Sequence, residues 1–463
     1  MTHVAIIGAY GSAGVAVADK LADEDDVELT LVDNGEPGGG LCILRGCMPS
    51  KDVFSAAAHR FQTRHDHRVE GTPEVDLDAV VAQKDEHIAN FAEHRRAAVE
   101  RLSKRDNVEF LHGTGYFVDD HTVRVGNRDI EADYVVVATG SKPNVPDTPG
   151  LDEVEYLTSD DVLDATEFGD SAVVMGFGYI GVEMAPYLAE AGEMDVTVVE
   201  HDDRPLDEAD DEFGDALIDV YREQFGIDVL TNTDETSVSP TDDGRVRLTA
   251  EHDGEEHEIE ADQLFLFTGR RPATDGLGLE NTPLEAENGW VGATMQARDD
   301  DRVFVVGDVN GREPILHVAK EQGHVAAENV LRHRRGDTLV EYENVHHHVI
   351  FSGLAVYPYA RVGHSATSAR EAGVDHHVFT REASQDGVFK TKNHPEGLAR
   401  LVVGADGTVL GYQGFHLHAD VMAKTMQVLV ENAVDVRSVP DRAYHPTTPE
   451  ILDGLFREAK ETL

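Results

Sequence analysis

Short apolar runs recur along the chain: VAII (4–7), VVVA (135–138), AVVM (172–175), VTVV (196–199), LFLF (264–267) and VFVV (303–306). Each reads as an apolar strand, so a folded chain with regularly recurring strands is expected. Two of the runs continue through a glycine-rich turn into a segment of helical spacing and then a second strand. VAIIGAYGSAGVAVADKLA leads to VELTLVD, ending at Asp33, and SAVVMGFGYIGVEMAPYLAEAG leads to DVTVVE, ending at Glu200. Near the C-terminus, LARLVVG and TVLGYQGF read as strands and VMAKTMQVLVENA as a helix behind them.

Strand, glycine turn, helix, strand and terminal acid form the sequence pattern of a dinucleotide-binding unit. Backbone N–H groups at the helix start receive a pyrophosphate, and the acid binds a ribose. In the second unit Gly176, Gly178 and Gly181 keep the G-x-G-x-x-G spacing. In the first, Gly8, Gly11 and Gly14 leave the turn one residue longer, with Tyr10 as the insertion. Two units imply two dinucleotides, and a flavin paired with a nicotinamide makes a hydride path. Glu200 would accept ribose hydroxyls and repel a 2′-phosphate, which favours NADH, but His201 and Arg204 follow in the same loop.

Composition narrows the partners. At 463 residues, 40% of them apolar, the chain can fill about two to four cores. Lys and Arg total 39 against 89 Asp and Glu, a formal charge of −50, and the acid is spread along the whole length. Nucleic acid is therefore excluded as a partner, because its phosphates would be repelled. Runs such as ADEDD (22–26), DEADDEFGD (207–215) and ARDDD (297–301) read as solvated faces rather than metal sites. A folded protein of a very salty cytoplasm fits this acidity, since salt screens its self-repulsion. No run approaches the roughly 18–20 apolar residues of a membrane span. The N-terminus enters a strand directly, so a cytoplasmic protein without a membrane partner is expected.

Both cysteines, Cys42 and Cys47, stand in GGGLCILRGCMPSK with C-x4-C spacing. In a reducing compartment such a pair is redox-active, catalytic or metal-binding rather than a structural staple. If the segment enters a helix, the thiols lie about one turn apart, can form a disulfide, and gain thiolate character from the helix N-terminus; Pro49 is tolerated just inside that start. Zinc would need two more strong ligands, and the histidines of VHHHV (345–349) are distant in sequence, so no metal is expected.

GGGLCILRGCMPSK resembles the redox-active segment of the flavin-dependent pyridine nucleotide-disulfide oxidoreductases. The resemblance continues through VVVATGSKP (135–143), GFGYIGVEMA (176–185), LFTGRRP (266–272), VFVVGDVN (303–310), LHVAKEQGHVAAENV (316–330) and YHPTTPEIL (444–452), nearly the full length in order. It implies an α/β fold with two Rossmann-like domains, for FAD and NAD(P), and an α+β dimerisation domain. The FAD domain would cover 1–147 and 266–341, the NAD(P) domain 148–265 and the interface domain 342–463.

The resemblance also implies roles. Cys47 would face the flavin and Cys42 would attack the substrate disulfide. Lys51 would lie near the flavin N5 and pair with Glu183. Asp308 would hold the ribityl chain, Thr139 and Gly140 would line the adenine dinucleotide, and Gly269 belongs to the matched TGRRP turn. His445 and Glu450 would form the acid–base dyad, working on the other subunit of a homodimer. Thiol–disulfide exchange needs such a dyad in any case, because a thiolate must attack and the leaving thiol must gain a proton. Three departures mark the chain: the lengthened first turn, Leu41 with Arg45 around the cysteines, and the missing Pro-Glu pair in VIFSGLAVYPYARVG (349–363).

With no third cysteine, the usual mercuric reductases and the large thioredoxin reductases are excluded, leaving a dihydrolipoamide dehydrogenase or a reductase of small disulfides. AYHPTTPEIL looks closer to the reductases. The whole sequence resembles the haloarchaeal reductases of bis-γ-glutamylcystine, which implies NADPH rather than NADH, with Arg204 facing the 2′-phosphate. The alternatives are an NAD-dependent dihydrolipoamide dehydrogenase and a non-catalytic flavin-binding sensor.

Overall fold

The computed structural model describes residues 1–463 apart from Asp253, Asn288 and Ala443. It divides into two compact units. The first comprises Met1–Ser50, Ala82–Pro143 and Arg270–Asn344, the second Lys51–Val81, Asn144–Gly269 and Val345–Leu463.

The first unit is built on a five-stranded parallel sheet in the order Val303–Val305, Tyr134–Val137, Thr2–Ile7, Val27–Asp33, Val108–His112. Its continuous apolar strands are explained by what covers each face. Val4, Ile6, Leu29, Leu31 and Val136 pack with Val17, Leu21 and Val330 of the helices Ser12–Leu21 and Leu316–Arg335. The alternate residues Ala5, Ile7, Val32, Val135 and Val137 pack with Phe117, Val123 and Ile130 of a three-stranded antiparallel sheet. Burying each of the larger of these side chains is worth about 1.5–3 kcal/mol, so a polar residue on either face would be costly. The two helices approach closely because Gly323 has no side chain; a Cβ there would lie 2.6 Å from the Ala13 carbonyl oxygen.

The second unit repeats this plan and adds to it. Its parallel sheet runs Asp228–Leu230, Asp195–Val199, Ser171–Met175, Gln263–Leu266, Tyr156–Thr158. Val173, Met175 and Leu264 again face an antiparallel three-stranded sheet, through Val238 and Leu248, while Ala172, Val174 and Val196 face the opposite core. An antiparallel five-stranded sheet follows, ordered His347–Ile350, Tyr359–Gly363, Val409–Phe415, Leu398–Gly404, His376–Glu382, with helices Ala419–Glu431 and Glu450–Thr462.

Within this unit buried Asp210, at the start of the helix Asp211–Val220, ties that helix to the antiparallel sheet. Its carboxylate accepts hydrogen bonds from Gln413 Nε2 (2.6 Å), Arg400 Nη1 (3.0 Å) and the amides of Thr367 and Ala366. Burial alone would raise the pKa of Asp210, but these donors outweigh it and hold the carboxyl below its ordinary range. Among the described residues, no helix is long and apolar enough to cross a membrane.

Candidate active site

Cys42 lies in the short helix Leu41–Leu44, and Cys47 is the first residue of the helix Cys47–His65. Their Cα atoms are 5.1 Å apart and the two sulfurs form a disulfide. Gly46 permits the close return of the chain, since a Cβ on it would sit 2.9 Å from the Cys42 Cα. With no acid in the first turn of the Cys47 helix, its N-terminus stabilises negative charge on a reduced Cys47.

One turn along the same helix, Lys51 Nζ is 2.6 Å from Glu183 Oε2. The other oxygen of Glu183 accepts the Phe351 amide at 2.8 Å, and Lys51 lies over the Phe351 ring at 4.8 Å. Motif reasoning paired Lys51 with Glu183 but missed Phe351. The signal was faint: a single aromatic in VIFSG, whose amide rather than its side chain fixes the glutamate.

His445 Nδ1 is 3.1 Å from Glu450 Oε1, and Glu450 also accepts the Thr447 amide at 2.9 Å. Glu450 opens the helix Glu450–Thr462, where a carboxylate suits the positive end of the dipole. The carboxylate is thus held while the imidazole is 79% exposed.

Both nucleotide units start their helices on a glycine, Gly11 and Gly178, with no side-chain cap and no acid in the first turn. In so acidic a chain this leaves the first turn of each helix without an acidic side chain, which fits a pyrophosphate at each. Gly8 and Gly176 take positive φ, 97° and 93°. Asp33 accepts the amides of Tyr10 (2.9 Å) and Gly35 (2.8 Å); Glu200 accepts those of Phe177 (2.5 Å) and Asp202 (3.1 Å). Burial raises the Asp33 pKa above its ordinary value, against the pull of those two amides.

This register corrects the reading of the first turn. Tyr10 and Phe177 both precede the N-cap glycine and both donate to the terminal acid, so Tyr10 is a counterpart and Ala9 is the additional residue. The Ala9 amide is satisfied by the Val32 carbonyl, which also receives the Gly8 amide. The Tyr10 ring occupies a slot that a side chain on Gly38 would fill.

Elsewhere in the first unit, Ser141 Oγ donates to Asp308 Oδ2 at 2.7 Å and receives Arg270 Nε at 3.1 Å, while Thr139 Oγ1 donates to the Ala273 carbonyl at 2.9 Å. Gly140 (φ 73°) and Gly269 (φ 82°) have open space where a Cβ would stand. Arg204 does not stand as an isolated cation: Nε is 2.7 Å from Asp215, and Nη1 binds Asp203. The structure therefore forms three close pairs, Cys42–Cys47, Lys51–Glu183 and His445–Glu450. The first lies in one unit and the other two in the second.

Comparison with known proteins agrees with this geometry. Residues 2–323 match the family model described as pyridine nucleotide-disulphide oxidoreductase, and residues 348–455 match the dimerisation domain of the same family. The chain belongs to this family. It is 31% identical over 467 residues to a dihydrolipoyl dehydrogenase of Halobacterium salinarum and 30% identical over 465 residues to that of Haloferax volcanii, covering 97% of this chain and 94% of each relative. The flavoprotein disulfide reductase RclA from Escherichia coli shares the fold, with a TM-score of 0.83, 24% identity and 99% coverage of both chains.

As a family member the protein is an FAD-dependent oxidoreductase acting on sulfur groups with a pyridine nucleotide, and its dimerisation domain points to a homodimer. The haloarchaeal relatives agree with the halophilic character of its composition.

Proposed function

We propose that the protein is a cytoplasmic, NADPH-dependent reductase of bis-γ-glutamylcystine, with a flavin domain of 1–147 and 266–341, a nucleotide domain of 148–265 and an interface domain from 342. One observation carries the reading: a redox disulfide at a helix start, in a chain that also holds an exposed imidazole fixed by a carboxylate. Bound flavin supplies the two-electron relay from nicotinamide to the Cys42–Cys47 disulfide.

The residues then divide the work. Lys51, fixed by Glu183, would hold a positive charge toward the flavin. After reduction, the Cys42 thiolate attacks one substrate sulfur, the substrate S–S bond breaks, and His445 of the partner subunit protonates the departing γ-glutamylcysteine. Glu450 orients the imidazole and stabilises its charged form. Cys47 then attacks the mixed disulfide, re-forming Cys42–Cys47 and releasing the second thiol. Overall, NADPH, a proton and one disulfide give NADP⁺ and two thiols. Arg45, exposed between the cysteines, meets the substrate carboxylates in this reading.

A second reading, an NAD-dependent dihydrolipoamide dehydrogenase, is favoured by Glu200 at the end of its strand and by Arg204 being shared between two aspartates. Nicotinamide oxidation by FAD-loaded enzyme in molar KCl, with bis-γ-glutamylcystine, glutathione disulfide and lipoamide as alternative acceptors, separates the two. The proposal expects preference for bis-γ-glutamylcystine with NADPH; preference for lipoamide with NADH would overturn it. Arg204→Ala should weaken NADPH at least about tenfold more than NADH, the size of one charge-assisted contact.

A further inference from the structure

We propose that Glu208, His346 and His348 form a binding site for a divalent transition cation of the zinc class. Their ligand atoms all lie within 4.8 Å of one another. All three residues lie within the second unit.

The backbone prepares the arrangement. His346 and His348 stand two residues apart in extended chain at the start of the strand His347–Ile350, so their side chains leave the same face. Glu208 lies in the loop before the helix Asp211–Val220, and that loop is held at both ends of the segment. The Glu208 carbonyl receives Arg361 Nη1, and two residues on Asp210 is locked by Arg400 and Gln413. The His348 ring packs edge-on against Tyr179, with centroids 4.5 Å apart.

The contact between His346 and Glu208 is informative. His346 Nε2 lies 3.0 Å from Glu208 Oε2, yet this buried nitrogen makes no hydrogen bond of acceptable geometry. In a tetrahedral zinc site with bonds of about 2.0–2.1 Å, ligand atoms stand about 3.3 Å apart, so small side-chain rotations close the set. Two imidazoles and one carboxylate select a borderline cation such as Zn²⁺ or Cu²⁺ over Mg²⁺ or Ca²⁺, and they leave a fourth position open. Arg361 opposes a cation nearby, but Asp207 and the overall charge of −50 offset it. A bound cation would tie the loop that follows Glu200 to the antiparallel sheet of the same unit.

The test is calorimetric titration of Zn²⁺ into chelator-treated, FAD-loaded enzyme kept oxidised, so that the disulfide offers no thiolate. One Zn²⁺ per chain is expected. Binding should weaken at least about tenfold in His346→Ala, His348→Ala and Glu208→Gln, and persist in His347→Ala. Circular dichroism checks that each variant is folded, and Glu208→Gln keeps the shape of the side chain. Pulsed EPR of the Cu²⁺-loaded protein should show two imidazole nitrogens, and one in each single histidine variant. No saturable Zn²⁺ binding, or equal binding in the His346→Ala/His348→Ala double variant, would overturn the proposal.

Discussion

The two glycine turns of this chain solve one problem with different parts. In both, the first and third glycines are fixed by backbone: a Cβ on Gly14 would lie 2.2 Å from the Gly8 carbonyl oxygen, and one on Gly181 would lie 2.2 Å from that of Gly176. In both, the residue before the N-cap donates its amide to the acid ending the second strand. The difference lies between those points. The first turn carries the extra Ala9 and ends on the shorter acid, Asp33; the second lacks it and ends on the longer acid, Glu200. Turn length and acid length differ together, and in both turns the same amide reaches the acid.

The largest effects should come from the shared glycines. Gly14→Ala forces a clash with backbone, for which overpacking costs about 1–3 kcal/mol, and should yield protein with little flavin absorbance. Gly181→Ala should keep its flavin but raise the nicotinamide KM at least about tenfold. Loss of flavin from both variants would break the assignment of one cofactor to each turn.

Exchanging the acids sharpens the matching. Asp33→Glu and Glu200→Asp each keep the charge but misplace it, and a lost hydrogen bond to a charged group is worth about 1.5–3 kcal/mol. Asp33→Glu should weaken flavin retention and Glu200→Asp nicotinamide binding, each by at least about tenfold in Kd. Equal affinities would show that acid length is irrelevant.

The smallest effects belong to the N-cap glycines. Gly178 has open space around a notional Cβ, whereas Gly11 would meet the Gly8 oxygen at 3.3 Å. Gly178→Ala should leave Tm unchanged and raise the nicotinamide KM several-fold. Gly11→Ala should cost stability, by about 1 kcal/mol or less. Thermal melts of the two apo variants separate these outcomes.

Local features were legible in the residues: apolar runs, glycine turns closed by an acid, and a cysteine pair opening a helix. The pairs Lys51–Glu183 and His445–Glu450 came from motif resemblance, because nothing in their spacing alone singles them out among 24 histidines and 89 acids. The Asp210–Arg400–Gln413 network was not legible, since Arg400 and Gln413 meet only by strand pairing and Asp210 reaches them only when its helix docks on that sheet. The same holds for Glu208 with His346 and His348. The position of the extra residue was also hidden: composition pointed at the bulky Tyr10, while the hydrogen bonds make it the equivalent of Phe177 and leave Ala9 as the addition.

The most direct test is flavin affinity in a variant lacking Ala9, alone and combined with Asp33→Glu, followed by fluorescence titration of FAD into apoprotein. Matched turn and acid lengths predict that the deletion alone weakens FAD at least about tenfold and that adding Asp33→Glu restores most of it. Full affinity in the single deletion, or no recovery in the combined variant, would contradict the matching.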